Sequence, residues 1–262
     1  MTTTIALAGK GGTGKTTIAC MVIKYLLRHR PGTILAIDAD PSSNLHMVLG
    51  MDLEWTIGEI REEMLQQVQS SVAVGAGVLP GGMSKREYLD YEVRSSLVEG
   101  DRVDLIAMGR PEGPGCYCAV NHLLRQIVDG ISRHYDFVVI DNEAGMEHLS
   151  RRTTRDVDYL LIVSDPTQRG IVAAERIAEL GKELDIHINH TYLVLNRLVG
   201  PIPPPLQARI EALGIPLLGV VPADSQVTTF EFSGRPLIEM GDDSPVYQAV
   251  AAMMAQILGP AT

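Results

Sequence analysis

The sequence predicts an α/β fold in which helices flank both faces of a mainly parallel sheet. Short β-branched apolar runs alternate with longer stretches of helical periodicity, which is typical of strands connected by crossover helices. The apolar runs are nearly continuous, as expected for strands that are covered on both faces. No repeat or long linker divides the 262 residues, so we expect a single domain spanning 1–262 with seven to eight strands.

The elements follow one another in regular alternation. The predicted strands are Thr4–Ala8, Ile34–Asp38, Val103–Met108, Phe137–Asp141, Tyr159–Ser164, Thr191–Asn196 and Leu217–Pro222. The predicted helices are Thr16–Arg28, Ser84–Leu97, Ala119–Arg133, Gln168–Leu184, Pro205–Leu213 and Pro245–Leu258. Residues 55–100 are the least regular part of the chain, and we expect a helical insertion with two helices and a loop there.

Composition excludes several classes of protein. With 22 basic and 32 acidic residues the net charge is −10, and only 5% of residues are aromatic, so we expect no nucleic-acid partner. Three cysteines are too few for a disulfide framework and indicate a reducing compartment. The start of the chain lacks the pattern of a signal peptide, and no run reaches the roughly 18 apolar residues of a membrane span. We therefore expect a soluble, cytoplasmic protein.

A phosphate-binding loop lies between the first predicted strand and the first predicted helix. Gly9–Thr16 reads GKGGTGKT and fits the pattern G-x-x-x-x-G-K-[ST] in its expected context. Glycines let backbone N–H groups converge on phosphates, and the following helix N-terminus adds positive potential. Lys15 is predicted to reach the β- and γ-phosphates, and the Thr16 hydroxyl to join the Mg²⁺ shell. The predicted nucleotide contacts in this region are Gly11, Gly12, Thr13, Gly14, Lys15, Thr16 and Thr17.

The loop carries a second lysine, Lys10. Lys10–Thr16 resembles the deviant Walker A loop of the MinD/ParA/nitrogenase iron protein class of P-loop ATPases. The resemblance implies that Lys10 reaches across a nucleotide-sandwich dimer to the phosphates of the partner subunit. The alternative interpretation of Lys10 is a solvated surface lysine.

Two acidic segments follow predicted strands. Asp38–Pro41 resembles the first switch of that class, which implies that Asp38 orients Mg²⁺ through water and that Asp40 aligns the attacking water. Phe137–Gly145 resembles the Walker B and second-switch segment, which implies that Asp141 holds Mg²⁺ through water. Alternatively, a carboxylate at such a position caps the next turn.

The base-binding segment favours adenine. Position 199, three residues after Asn196, is a valine, so the aspartate that receives the guanine donors in GTPases is missing. The resemblance implies that Asn196 hydrogen-bonds the base and that Pro222 and Asp224 line the adenine pocket. A turn proline followed by a helix cap is the other interpretation of Pro222 and Asp224.

A Cys-x-Cys motif lies just before the predicted helix Ala119–Arg133. Cys116 and Cys118 offer two soft thiolate ligands, half of a tetrahedral set, and a symmetric dimer would supply four. The helix N-terminus would favour the thiolates. The other interpretations are two ordinary reduced cysteines or a redox pair.

Over its whole length the chain resembles the CooC-type ATPases that insert nickel into carbon monoxide dehydrogenase. The resemblance rests on Gly9–Thr16, Asp38–Pro41, Cys116–Cys118, Glu143–His148 and Asn196. It implies an ATP-hydrolysing homodimer, with Mg²⁺ at the nucleotide, whose paired motifs share Ni²⁺ or Zn²⁺. It also implies an apo nickel enzyme, such as carbon monoxide dehydrogenase, as partner. No role is assigned to His148, and His122 is either an exchange ligand or a surface histidine.

Two alternatives belong to other functional classes. A MinD/ParA-type positioning or partitioning ATPase would act on membrane or DNA, but Val246–Leu258 lacks the lysines and arginines of a membrane-binding helix. We therefore expect no membrane partner. A reductase resembling the nitrogenase iron protein needs cluster cysteines tens of residues apart, and only Cys20 accompanies the Cys-x-Cys motif. Cys20 occupies an apolar helix position and is predicted to be a buried small hydrophobe.

Overall fold

Seven strands form one sheet in the order β3-β2-β4-β1-β5-β6-β7. The structure is a computed structural model that describes residues 2–73, 82–110, 118–144, 156–183 and 187–259. The strands are β1 (Thr3–Gly9), β2 (Ile34–Ala39), β3 (Val103–Ala107), β4 (Phe137–Ala144), β5 (Asp156–Ser164), β6 (His187–Leu198) and β7 (Leu217–Pro222). All six neighbouring pairs are parallel. The predicted fold class is thereby confirmed.

Helices cover both faces of the sheet in the described part of the chain. They are α1 (Lys15–His29), α2 (Leu45–Leu49), α3 (Ile57–Ala73), α4 (Lys85–Ser95), α5 (Cys118–Ser132), α6 (Gln168–Glu183), α7 (Pro204–Ala212), α8 (Ser225–Ser233) and α9 (Pro245–Leu258). Buried residues of α1, α2 and α9 form one core, and buried residues of α3 to α7 form a second core on the opposite face. The sheet therefore lies between two layers of helices, as the sequence predicts.

Strand β1 shows why the predicted strands are nearly continuous apolar runs. Ile5 and Leu7 belong to the core that contains α1, and Ala6 and Ala8 belong to the core on the other face. Successive side chains of a strand point to opposite faces, so a strand buried on both faces has few polar positions. This local pattern explains why the predicted strands are all found.

The differences from the prediction concern elements with a small buried face. Helix α2 has only five residues, and α8 packs on the core only through the half-buried Val227 and Phe230, so the apolar pattern of each is too short to predict a helix. Within residues 55–100, α3 and α4 contribute Ile57, Met64 and Leu89 to the same core as α5. Among the described residues, none of the helices has the length and apolar character needed to span a membrane.

Candidate functional site

The sequence-predicted nucleotide residues meet at the carboxyl edge of the sheet, around the end of β1. Strand β1 lies between β4 and β5, with β2 and β3 beyond β4 and with β6 and β7 beyond β5. Parallel sheets bind ligands at such a switch point, outside the carboxyl ends of the strands. The loop 9–16 leaves β1 here and leads directly into α1.

The phosphate loop has the backbone that anion binding requires. Gly14 is the N-cap of α1 with a left-handed φ of 88°, and no side chain caps that end of the helix. The uncapped amides and the helix dipole favour an anion at this end. Lys15 is buried, and its Nζ lies 3.4 Å from the Lys10 carbonyl oxygen. The Lys15 ammonium group therefore lies beside the loop in which it is predicted to contact the β- and γ-phosphates.

Three polar side chains form a candidate Mg²⁺ site beside this loop. The Thr16 hydroxyl donates to Oδ2 of Asp141 at 2.6 Å, while Asp38 accepts hydrogen bonds from the amides of Asp40 (3.1 Å) and Leu45 (2.8 Å). Asp38 and Asp141 are buried, and they lie opposite each other where β2 pairs with β4. Oxygen ligands of this kind suit Mg²⁺.

The electrostatics of the two aspartates suit a divalent cation. Burial raises the pKa of Asp141 to about 7, although the Thr16 hydrogen bond opposes that shift. Burial likewise raises the pKa of Asp38 to about 6, against the hydrogen bonds from the Leu45 and Asp40 amides. Among the described residues Oδ1 of Asp141 is buried without a hydrogen-bond partner. Thr16, Asp38 and Asp141 therefore fit Mg²⁺, which when bound with nucleotide neutralises phosphate charge.

Of the three residues predicted to be catalytic, Lys15 is buried beside the loop, whereas Lys10 and Asp40 lie at the rim of the site. Asp40 is half-buried, and its Oδ1 accepts a hydrogen bond from the Ser42 amide at 2.8 Å. Lys10 is exposed. Exposure of Lys10 is compatible both with a solvated side chain and with a contact to a second subunit.

A cavity of about 350 Å³ adjoins the phosphate loop on the side of β6 and β7. Its lining brings together four residues of the predicted nucleotide set, namely Thr17, Asn196, Pro222 and Asp224. Asp224 also caps α8, because its Oδ1 accepts from the Gln226 amide at 2.9 Å. The cap interpretation and the pocket interpretation of Asp224 are thus both compatible with its position.

Two adjacent side chains at the end of β6 hold the phosphate loop. Nδ2 of Asn196 donates to the Thr13 carbonyl at 2.7 Å, and the Arg197 guanidinium donates to the Gly12 carbonyl at 2.9 Å. The sequence predicts that Asn196 hydrogen-bonds the adenine base, and it predicts no role for Arg197. The only signal for Arg197 was a basic residue directly after Asn196 at the end of a strand.

The Cys-x-Cys segment is described only at its end. Cys116 and His148 lie outside the described residues, Cys118 is the first residue of α5, and His122 follows one turn later in the same helix. Cys20 is fully buried on α1 within the apolar core, and burial raises the pKa of its thiol.

The chain is similar to known nucleotide-binding proteins over its whole length. The family model for the CobQ/CobB/MinD/ParA nucleotide binding domain matches residues 4–237. An uncharacterized ATP-binding protein of Methanocaldococcus jannaschii is 40% identical over 254 residues, which cover 97% of this chain and 98% of the relative. The carbon monoxide dehydrogenase accessory protein CooC of Rhodospirillum rubrum is 31% identical over 264 residues, covering 97% of this chain and 95% of CooC.

Solved structures show the same fold at lower identity. MinD of Pyrococcus horikoshii, complexed with Mg-ADP, has a TM-score of 0.67 at 21% identity and covers 98% of this chain and 96% of its own. A ParA family ATPase of Chlorobium tepidum has a TM-score of 0.69 at 18% identity. The match covers 98% of this chain and 99% of the ParA family chain. Together with the phosphate loop and the family match, these findings show that the chain belongs to the CobQ/CobB/MinD/ParA nucleotide-binding family as an ATPase of the MinD/ParA class.

Proposed function

We propose that this ATPase is a metallochaperone that assists nickel insertion into carbon monoxide dehydrogenase or a related nickel enzyme. The observation that carries the proposal is the motif Cys116-Tyr-Cys118 in a chain that is 31% identical to CooC over 97% of its length. The transferred ion is the cargo, and ATP with Mg²⁺ drives the cycle. Nucleotide and metal both promote a homodimer of this chain.

The number of ligands supports a site shared by two subunits. One Cys-x-Cys motif supplies two thiolates, whereas a two-fold axis supplies four from the same short segment. Four sulfurs suit tetrahedral Zn²⁺ or a square-planar Ni²⁺ arrangement. Because Cys118 begins α5, the helix dipole favours the thiolate form that binds metal.

A short backbone path connects the nucleotide site with the chain that leads to the cysteines. The Met108 amide, just after β3, donates to the Asp38 carbonyl at 2.7 Å. The Met108 carbonyl in turn accepts from the Gly58 amide of α3 at 2.9 Å. In the proposed cycle, a displacement of Asp38 is passed to the end of β3 through this hydrogen bond. If ATP and metal stabilise the same dimer, each changes the affinity for the other by the same factor.

A positioning or partitioning ATPase without a metal role is the second candidate function. The similarity of fold to MinD and to a ParA family ATPase favours it. Against it, α9 contains no lysine or arginine, and the net charge is −10. Neither membrane binding nor DNA binding would require Cys116 and Cys118.

Anaerobic titration with Ni²⁺ or Zn²⁺, with and without MgATP, tests the proposal when molecular mass is followed by light scattering. We expect one ion per dimer, a shift from monomer to dimer, and proton release as the thiols ionise. The double variant Cys116→Ser/Cys118→Ser should lose tight metal binding and keep ATP binding. Cys20→Ala, in the buried core, is the matched control and should bind metal as the wild type does.

Three results would contradict the proposal. Full metal affinity in the double serine variant would remove the motif from the site. One tightly held ion per isolated monomer would exclude a shared site. A wild-type chain that hydrolyses ATP and binds no metal would favour the second candidate function.

A further inference from the structure

Strand β6 ends in a bulge beside the phosphate loop. Leu195 pairs with Val220 and Leu198 pairs with Pro222, so two residues of β6 oppose one residue of β7. The second of these two residues, Arg197, has a left-handed φ of 59°. Among the described residues only Ser43 is another non-glycine with a positive φ. Bulges redirect side chains near active sites, and backbone strain of this kind persists where the surroundings or the function require it.

The bulge directs two neighbouring side chains at two neighbouring carbonyl groups of the phosphate loop. Asn196 donates to the Thr13 carbonyl at 2.7 Å, and Arg197 donates to the Gly12 carbonyl at 2.9 Å. The Asn196 amide is itself oriented by the bulge, because its Oδ1 accepts from the Arg197 backbone N–H at 2.9 Å. A single distortion of β6 therefore positions both donors.

Holding these carbonyls determines where the following amides point. In a trans peptide the C=O of one residue and the N–H of the next point in opposite directions. With the Gly12 and Thr13 carbonyls turned toward β6, the Thr13 amide points the other way and donates to the Lys10 carbonyl at 3.3 Å, which closes a turn of the loop. The Gly14 amide likewise points away from β6. Amides that converge on one side form the anion-binding surface of a phosphate loop.

We propose that Arg197 is a positioning residue for ATP binding and hydrolysis. Its guanidinium holds the Gly12 carbonyl and thereby fixes the peptide between Gly12 and Thr13, whose amide closes the turn of the phosphate loop on the Lys10 carbonyl. The fixed turn keeps the loop in the shape that binds phosphates. The left-handed backbone at Arg197 belongs to the same bulge that places its guanidinium on the loop. Arg197 acts through the loop and not by contact with the adenine base, although it borders the same 350 Å³ cavity.

The variant Arg197→Gly separates this role from a structural one. Glycine adopts a φ of 59° without strain, and this gain offsets the greater freedom of glycine in the unfolded chain and the loss of an exposed hydrogen bond, so the urea midpoint should stay close to that of the wild type. Its affinity for MgATP should fall about tenfold, the scale of losing one hydrogen bond from a charged donor. Its affinity for magnesium tripolyphosphate, which has no base, should fall by the same factor. Arg197→Lys keeps a charged donor and should recover part of the loss.

Arg209→Ala, an exposed arginine on α7, is the matched control and should leave both affinities unchanged. Destabilisation of Arg197→Gly toward urea would make Arg197 a structural residue and overturn the proposal. A loss of ATP affinity with unchanged tripolyphosphate affinity would show that Arg197 contacts the base instead. Unchanged affinity for both ligands would show that the loop does not need the guanidinium.

Discussion

Three glycines of the phosphate loop should respond to alanine in a graded series. Gly11 has no left-handed backbone, and a Cβ there would have no atom within 4 Å. Gly12 also has open space, but its φ is 79°. Gly14 has a φ of 88°, and a Cβ there would lie 2.5 Å from Nδ2 of Asn196. The series therefore adds first backbone strain and then a steric conflict.

The expected losses in unfolding free energy follow from these two terms. Gly11→Ala should be neutral or stabilising, by up to about 1 kcal/mol, because the unfolded chain loses freedom. Gly12→Ala should cost about 1–2 kcal/mol for a left-handed L-residue. Gly14→Ala has the same strain and also displaces the Asn196 amide, which is only 4% exposed and bonds the Thr13 carbonyl. Losing that buried hydrogen bond adds about 1–3 kcal/mol.

Urea unfolding, followed by circular dichroism and by the fluorescence of Trp55, measures the series. Trp55 is the single tryptophan of the chain and lies outside the loop, and its fluorescence reports unfolding because about half of its surface is shielded from water in the folded protein. The midpoints should decrease in the order Gly11→Ala, Gly12→Ala, Gly14→Ala. Equal midpoints for the Gly12 and Gly14 variants would refute the Asn196 contact, and a low midpoint for Gly11→Ala would refute the strain argument.

Further predictions concern hydrolysis and the buried thiol. Lys15→Ala should abolish MgATP hydrolysis, whereas Asp40→Asn should bind MgATP and hydrolyse it on the order of 10²-fold more slowly in a phosphate-release assay. Normal turnover by the Asp40 variant would exclude Asp40 from the mechanism. Specific activity should rise with protein concentration until dimerisation saturates, and Lys10→Ala should hydrolyse poorly even with nucleotide bound; concentration-independent activity in a stable monomer would contradict this. In a Cys116→Ser/Cys118→Ser background, Cys20 should react with a thiol reagent only after unfolding, because burial raises the pKa of its thiol; rapid modification of the native protein would contradict its burial.

The sequence alone determined the features that depend on neighbouring residues. Nearly continuous apolar runs predict the strands because a strand covered on both faces has few polar positions, as the central part of β1 shows. The loop 9–16 could be recognised because glycines, lysine and threonine act from one continuous segment. Helix α8 was not predicted, since only the half-buried Val227 and Phe230 pack against the core and the apolar pattern is too short to indicate a helix. The Cys-x-Cys motif remains a prediction from residue type and spacing.

Only the tertiary structure decided how distant segments combine at the site. Thr16 meets Asp141 across 125 positions of the chain, and Asn196 meets Thr13 across 183. The second contact depends on the order of the strands and on a shift of register between β6 and β7. No local pattern encodes that shift, because register is a property of two paired strands and not of either sequence. The role of Asn196 and Arg197 as donors to the loop therefore appears only when the sheet is assembled.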